Sequence, residues 1–178
     1  MGEPEAVSRM RAGDIEAFAA MVREFQVPIV RYLFRLTGDE ELSRDLAQDT
    51  FIQAYSGLAR TRPNLSLKAW LYRIATNNAM RHFRRKAIVN FEPLEESGAP
   101  AASTDTAQDT ADREAVHQAL LSVPEKLRVC VVLHFVDGFK HREIAEMLGI
   151  SEDAARMRVT RGSEEFRRQY VASAGRIR

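Results

Sequence analysis

One stretch of the chain, from Phe91 to Glu114, has no hydrophobic periodicity, and it limits what the rest of the chain can fold into. Its residues are mostly small, polar and acidic, a composition typical of a linker. It separates an N-terminal segment of about 88 residues from a C-terminal segment of about 65, each near the lower size at which a domain folds alone. We therefore expect two small domains, at residues 1–90 and 114–178, joined by a flexible acidic linker at 91–113.

Both segments have the periodicity of helices. Apolar residues recur three and four positions apart, and no alternating run rich in Val, Ile and Thr is present. The predicted fold class is therefore all-α, with two small helical domains. In the N-terminal domain the pattern predicts four helices: one from Asp14 through Phe25, one that restarts at Pro28 and ends at Gly38, one from Glu40 to Leu58, and one from Leu67 to about Lys86.

The composition excludes several classes of protein. Apolar residues make up 45% and charged residues 29% of the 178 residues, as in soluble globular proteins. No run approaches the roughly 20 apolar residues of a membrane span, and the acidic opening Met1–Glu5 lacks the basic start of a signal peptide. We expect a cytoplasmic protein without membrane insertion. The single cysteine, Cys130, lies in an apolar run and is expected to be buried.

The net charge of +1 conceals a segregation of charge along the chain. Six basic residues and no acidic one lie between Lys68 and Lys86. From Asp39 to Tyr55 the balance reverses, with five acidic residues against Arg44 alone. Because salt screens each field within roughly 10 Å, such a chain can present one face to phosphates and another to a basic protein surface.

The segment from Phe139 to Val159 has the pattern of a helix-turn-helix. Ala145 is small enough for a close helix approach, Gly149 ends the first helix, and Ser151 caps the second. The outer faces of the second helix, which would read bases or hold phosphates in a major groove, carry Arg156, Met157, Thr160 and Arg161. The alternative is an αα-hairpin with a solvated basic face. Gly162 costs about 1 kcal/mol in a helix interior, and we expect it to fray the C-terminal half of the second helix.

The predicted helix from Lys68 to Lys86 interleaves aromatic residues with its cations. Single-stranded nucleic acid requires both, cations for the backbone and rings or amides for the bases. Trp70 taken alone is more simply explained as a core residue. A core-packed amphipathic helix does not as easily explain six cations without an anion. Asn77 and Asn78 are poor formers of helix interiors, so each is either a contact to a base edge or a surface position without a role.

The acidic helix has an outward face formed by Asp45, Gln48, Asp49 and Ile52. Taken alone, such a face is more often simply solvated. Its place ahead of a basic helix and a helix-turn-helix adds a second interpretation, that of a protein-docking surface.

The order of these segments resembles the extracytoplasmic-function group of the sigma-70 family of RNA polymerase sigma factors. The resemblance covers nearly the whole chain, from about Gly13 to Arg168, and it rests on DLAQDTFIQAY, LKAWLYRIATNNAMRHFRRK, an acidic linker, the VPEKLR that begins at Val123, and EIAEMLGISEDAARMRVTRG. The chain departs from the family's pattern at Ala155, where Val or a similar residue is usual. It also departs at Gly162-Ser163, where an Ala-Arg pair is usual.

The resemblance implies a region 2-like domain followed by a region 4-like domain, with a role for each group of residues. The clamp helices of the largest polymerase subunit would contact Asp45, Gln48, Asp49 and Ile52. The minus-ten element and the melting strand would contact Arg60, Arg62, Asn64, Ser66, Asn77, Arg81, Arg84 and Arg85. The minus-thirty-five element would contact Lys140, Arg142, Arg156, Met157, Thr160 and Arg161.

The same resemblance implies the partners. They are core RNA polymerase, promoter DNA in duplex and single-stranded form, and an anti-sigma protein that holds the factor inactive. Roughly 22 flexible linker residues have a taut length near 75 Å, so the two domains could sit about two turns of DNA apart. Neither a metal nor a cofactor is implied, and we expect no catalytic activity.

Two other function classes stay open at this point. A dimeric helix-turn-helix regulator would bind an operator and use its N-terminal domain for dimerisation or ligand sensing. It would need no acidic docking face and no preference for single strands. An enzyme is the third class, but the chain has no phosphate-binding glycine loop, no His-Glu-x-x-His pair and no nucleophile elbow.

Overall fold

The computed structural model describes residues 3–58, 66–89 and 107–174, and every regular element within these ranges is helical. The all-α fold class is confirmed. The elements are α1 Glu3–Arg11, α2 Ile15–Thr37, α3 Glu40–Gly57, α4 Leu67–Val89, α5 Ala107–Leu121, α6 Glu125–Val131, a π-helical turn Val132–Val136, α7 His141–Leu148 and α8 Glu152–Ala174.

Helix α2 begins and ends at the predicted signals. The Asp14 carboxylate accepts a hydrogen bond of 3.0 Å from the backbone N–H of Ala17, and Gly38 closes the helix with a φ of 71°. The prediction of a new helix at Pro28 is wrong, because α2 runs through it. Pro28 is exposed, so the backbone donor that it lacks is on the solvent side, while the buried apolar face continues on both sides of it.

Helices α2, α3 and α4 pack together as the core of the N-terminal domain, and α1, which the sequence patterns did not predict, packs against α2. Asp39 caps helix α3, and its carboxylate accepts a hydrogen bond of 3.0 Å from the Leu42 N–H. The buried hydroxyls of Tyr32 and Thr76 are 2.7 Å apart and join α2 to α4. This neutral pair satisfies two polar groups that would otherwise be costly to bury.

The C-terminal domain consists of α5 to α8, and α8 packs against each of the other three helices. Helix α5 begins at Ala107, within the stretch expected to be linker. The predicted fraying at Gly162 is wrong, because α8 continues to Ala174. Gly162 is buried, and a Cβ at this position would lie 2.5 Å from Val131 Cγ2 and 3.1 Å from the Leu127 carbonyl oxygen. The glycine therefore permits a close approach of α6, which holds the helix in place.

The two domains contact each other, with α2 against α5 and α4 against α7, and their buried apolar residues form one continuous cluster. The Phe34 ring stacks on His117 with centroids 4.7 Å apart. The buried guanidinium of Arg128 donates to the carbonyl oxygens of Leu36 in α2, of Leu121 at 2.5 Å and of Val123 at 2.9 Å. Arg128 thus ties the C-terminal ends of α2 and α5 together.

Candidate functional site

The outer face of α3 carries the four residues expected to dock on the polymerase. Asp45, Gln48 and Asp49 are exposed, and the apolar Ile52 beside them is 57% exposed. Their spacing places them on one side of the helix, opposite the buried Leu46 and Ala54. An acidic patch around an exposed aliphatic side chain is suited to a basic, partly apolar protein surface.

The outer face of α4 carries exposed residues of the expected minus-ten surface, namely Asn77, Arg81, Arg84 and Arg85. Ser66 lies just before the helix, and its hydroxyl accepts a bond of 3.3 Å from Ala69 N–H. Arg60, Arg62 and Asn64 lie outside the described residues. The exposed amide and three guanidinium groups provide one hydrogen-bonding group for a base edge and three cations for a backbone.

Asn78 differs from its neighbour Asn77. Its side chain is 4% exposed and points between α3 and α4. The carboxamide donates to Thr50 Oγ1 at 3.3 Å and accepts from Gln53 Nε2 at 2.9 Å. Asn78 is therefore neither a base contact nor a surface position without a role, because its amide hydrogen-bonds to α3 and joins α4 to that helix.

The helix-turn-helix has the predicted internal geometry. Gly149 adopts a φ of 64° at the end of α7, and the Ser151 hydroxyl accepts a bond of 3.1 Å from Ala154 N–H at the start of α8. Ile144 and Ala155 are fully buried where the two helices meet. The small side chain of Ala155, which departs from the resembled pattern, lies in this contact.

The expected minus-thirty-five surface is exposed along α8. Its residues are Arg156, Met157, Thr160 and Arg161. Arg156 lies 3.4 Å from the Glu152 carboxylate and 4.0 Å from Asp153, two acids in the first turn of the same helix. Pairs this exposed contribute little to stability, so Arg156 can exchange these partners for a base or a phosphate at low cost.

The other two residues of this surface lie at the start of α7. Lys140 is exposed, and its backbone N–H donates to the Glu143 carboxylate at 2.7 Å. Arg142 pairs with Glu146 at 3.3 Å, and both side chains are largely exposed. The two basic side chains thus stand at the N-terminal end of α7.

Three features were not predicted from the sequence. His134 and His141 form a stacked pair with ring centroids 4.4 Å apart, although the histidines are dispersed along the chain. Burial and the neighbouring His134 lower the pKa of His141. Arg128 is buried, and burial lowers its pKa. The Asp137 carboxylate accepts a hydrogen bond of 2.8 Å from the Tyr72 hydroxyl of α4, in the other domain. These contacts join residues that no local pattern relates, so only the tertiary fold shows them.

Comparison with known proteins matches both domains to families. The family model for Sigma-70 region 2 matches residues 21–88, and the model for Sigma-70, region 4, matches residues 113–165. The ECF RNA polymerase sigma factor SigW of Bacillus subtilis is 30% identical over 176 residues, which cover 92% of this chain and 94% of that protein. The RNA polymerase sigma-H factor of Pseudomonas aeruginosa is 30% identical over 179 residues, which cover 91% of this chain and 90% of that protein.

Two solved structures share the fold. CnrH, in complex with the cytosolic domain of CnrY, matches with a TM-score of 0.74 and 22% identity over 96% of this chain and 97% of that one. The sigma factor RpoE of Bartonella quintana, in complex with the anti-sigma factor NepR, matches with a TM-score of 0.72 and 19% identity over 85% of this chain and 95% of that one.

The chain belongs to the extracytoplasmic-function group of the sigma-70 family of RNA polymerase sigma factors. Its function is that of the family: it binds core RNA polymerase and directs transcription initiation at promoters. Within the described ranges, no helix is both long enough and apolar enough to cross a membrane.

Proposed function

We propose that the acidic face of α3 docks this factor on the polymerase, through Asp45, Gln48, Asp49 and Ile52. The observation that carries the proposal is the combination of three exposed polar residues with a 57% exposed isoleucine on one helix face. The exposed isoleucine gives this face apolar area that a partner can bury beside the acidic groups. The expected target is the clamp helices of the largest subunit.

The exposed face of α4 captures the unpaired minus-ten strand in this proposal. Asn77 reads a base edge, and Arg81, Arg84 and Arg85 hold the backbone, with Ser66 and the segment of Arg60, Arg62 and Asn64 beside them. Because the α4 face binds the unpaired form, it pulls duplex opening forward by mass action. Stacking and hydrogen bonds must then offset the few kcal/mol that each base extrusion costs.

The C-terminal domain reads the minus-thirty-five element as duplex DNA. Arg156, Met157, Thr160 and Arg161 enter the major groove, while Lys140 and Arg142 hold phosphates from the start of α7. The exposure of all four α8 residues on a helix whose other face is buried supports this assignment. We propose domain limits of 1–90 and 114–178, with the segment 91–113 between them, into which the start of α5 at Ala107 extends.

Regulation by an anti-sigma partner is part of the proposal. In the solved structures, CnrH is bound to the cytosolic domain of CnrY and the sigma factor RpoE is bound to the anti-sigma factor NepR, and both CnrH and RpoE share the fold of this chain. We propose that this factor acts in the cytoplasm, where core polymerase is found, and that it acts by binding alone, without catalysis.

The docking face is tested by replacing Asp45 and Asp49 with Lys together. Both side chains are exposed, so the fold is retained, and co-purification with core polymerase is expected to be lost. Glu5→Lys with Glu24→Lys changes the net charge equally on other exposed positions and is expected to leave binding unchanged. Retained co-purification of the Asp45 and Asp49 variant would remove α3 as the docking face.

Strand capture is tested in a gel shift with duplex DNA and with a pre-melted bubble, with and without core polymerase. The factor is expected to prefer the bubble in the presence of polymerase. Tight binding to a duplex operator that polymerase does not alter would instead favour a dimeric regulator.

The recognition helix is tested by Arg156→Ala. A bidentate base contact is worth about 1–3 kcal/mol, so affinity for the cognate upstream element is expected to fall more than affinity for random DNA. Arg167→Ala, at another exposed position of α8, is the matched control. An equal loss on both DNAs would make Arg156 a phosphate contact.

A further inference from the structure

Helix α1 bonds to the backbone at the end of α3 and at the start of α4. The Arg11 guanidinium donates to the carbonyl oxygen of Leu58 at 3.2 Å, where α3 ends. The Glu3 carboxylate accepts a hydrogen bond from the backbone N–H of Leu67, the first residue of α4. The side chains of Leu58 and Leu67 are buried, so the core and α1 together hold both residues.

Each bond pairs a helix end with the charge that suits it. The last turn of α3 contains no basic residue, and Arg11 places a cation beside the carbonyl groups at this end. The first turn of α4 contains no acidic residue, and Glu3 places an anion beside the N–H groups at this end. Such charges are favourable at helix ends, and hydrogen bonds to charged groups are the stronger ones. Helix α1 therefore supplies a charge that each adjoining turn lacks.

The position of α1 is set by apolar contacts that do not involve these bonds. Val7 and Met10 are buried, and α1 packs against α2. Glu3 and Arg11 lie at the two ends of this helix, about 12 Å apart along its axis. Because a helix keeps its ends at a constant separation, the two backbone groups that α1 binds are held by one rigid element.

The residues between the two bonds in the sequence include half of the proposed minus-ten set. They are Arg60, Arg62, Asn64 and Ser66. Ser66 directly precedes Leu67, and its hydroxyl is bonded to the first turn of α4. A chain segment with both ends fixed loses less conformational entropy on binding, so its contacts to bases contribute more to affinity.

We propose that Glu3 and Arg11 are positioning residues for minus-ten recognition, which hold the end of α3 and the start of α4 at a fixed separation. Neither residue contacts DNA in this proposal. The proposal rests on the proposed function of α4 and of the residues before it in strand capture. It adds α1 to the parts of the factor that decide which bases are read.

The positioning role is tested with Glu3→Ala and Arg11→Ala in the full chain bound to core polymerase. Two pre-melted bubbles are compared, one with the cognate minus-ten sequence and one with its unpaired bases substituted. Since apparent affinity scales with the fraction of protein in the competent arrangement, affinity for the cognate bubble is expected to fall ~3- to 10-fold. Affinity for the substituted bubble is expected to stay unchanged, because Arg81, Arg84 and Arg85 still hold the backbone.

Conservative variants and matched controls separate positioning from a general effect. Glu3→Gln keeps an acceptor oxygen and Arg11→Lys keeps a donor, so each is expected to retain most of the discrimination between the bubbles. Glu5→Ala and Arg23→Ala remove the same charges at exposed positions and should behave as the wild type. Thermal unfolding checks that each variant is folded, and co-purification checks that polymerase docking is unchanged.

The outcomes separate this role from the proposed function. If the wild type distinguishes the two bubbles and Glu3→Ala and Arg11→Ala do so equally well, the positioning role is wrong and strand capture stands. If the two variants lose affinity equally on both bubbles, their effect is not on base reading, which also contradicts the role. If the wild type does not distinguish the bubbles, base reading by the minus-ten surface fails, and the positioning role fails with it.

Discussion

The two domains join their helices by different polar contacts. The N-terminal domain buries neutral groups between helices, as in the pair of Tyr32 and Thr76 and in the bonds of Asn78. The C-terminal domain buries a charged group, Arg128, against backbone carbonyl oxygens, and brings α6 and α8 together at Gly162. The neutral contacts are spread over several side chains, whereas the charged contact and the glycine each concentrate a large effect in one residue.

The largest effect is expected for Arg128→Ala. The change leaves carbonyl oxygens of Leu36, Leu121 and Val123 without this donor, and we expect unfolding free energy to fall by about 3 kcal/mol. Urea unfolding followed by circular dichroism measures it. Because Trp70 is the single tryptophan and lies in the N-terminal domain, its fluorescence shows whether that domain is destabilised as well. Lys126→Ala, an exposed change in the same helix, is the control, and a comparable loss there would contradict the role of Arg128.

The next effect is expected for Gly162→Ala. The added methyl group meets Val131 and the Leu127 backbone, and overpacking outweighs the gain in helix propensity, for a net loss of about 1–2 kcal/mol. Thermal unfolding measures the change. Gly57→Ala is the matched control, since its Cβ would lie an ordinary 3.4 Å from Trp70 Cζ2. Equal stability of the two variants would show that α6 and α8 do not depend on a close approach.

A smaller effect is expected for Asn78→Ala. Thr50 and Gln53 lose their partner, but each retains another bond or access to water, so the loss is about 1 kcal/mol. Asn77→Ala is the matched comparison, at an exposed position of the same helix, and it should leave stability unchanged while weakening bubble binding. If Asn77→Ala were the more destabilising change, Asn77 and not Asn78 would be the residue that joins the helices.

The smallest effect is expected for Arg142→Ala. Its ion pair with Glu146 is largely exposed, so the loss in stability should be within about 0.5 kcal/mol. Duplex affinity is expected to weaken to a similar degree on cognate and random DNA, as for a phosphate contact. Titration of both DNAs at fixed salt measures this, and selective loss on the cognate element would make Arg142 a base-reading residue.

The sequence predicted much of the fold because the signals involved are local. Asp14, Gly38, Gly149 and Ser151 act within a turn or two of their own position, and each performs its predicted role. The exposure of the α3 and α8 surfaces followed from helical periodicity in the same way. The roles of these surfaces are still predictions.

The sequence patterns failed where a distant segment decides the outcome. Pro28 and Gly162 are both unfavourable in an isolated helix, yet α2 and α8 continue through them. In α2 the packed face lies opposite Pro28, whereas in α8 the face that carries Gly162 is itself packed against α6. Asn77 and Asn78 are adjacent and chemically identical, and only the position of α3 makes one of them a structural contact.

The sequence by itself determined the all-α fold class, the helix ends at Asp14, Gly38, Gly149 and Ser151, and the order of two domains, since propensity, capping and periodicity act over a few residues. The tertiary structure alone decided that the domains pack together, that Arg128 reaches the end of α2, and that Asp137 accepts hydrogen bonds from Lys68 and Tyr72. These contacts join residues tens of positions apart, and their energy depends on distances that no local pattern encodes.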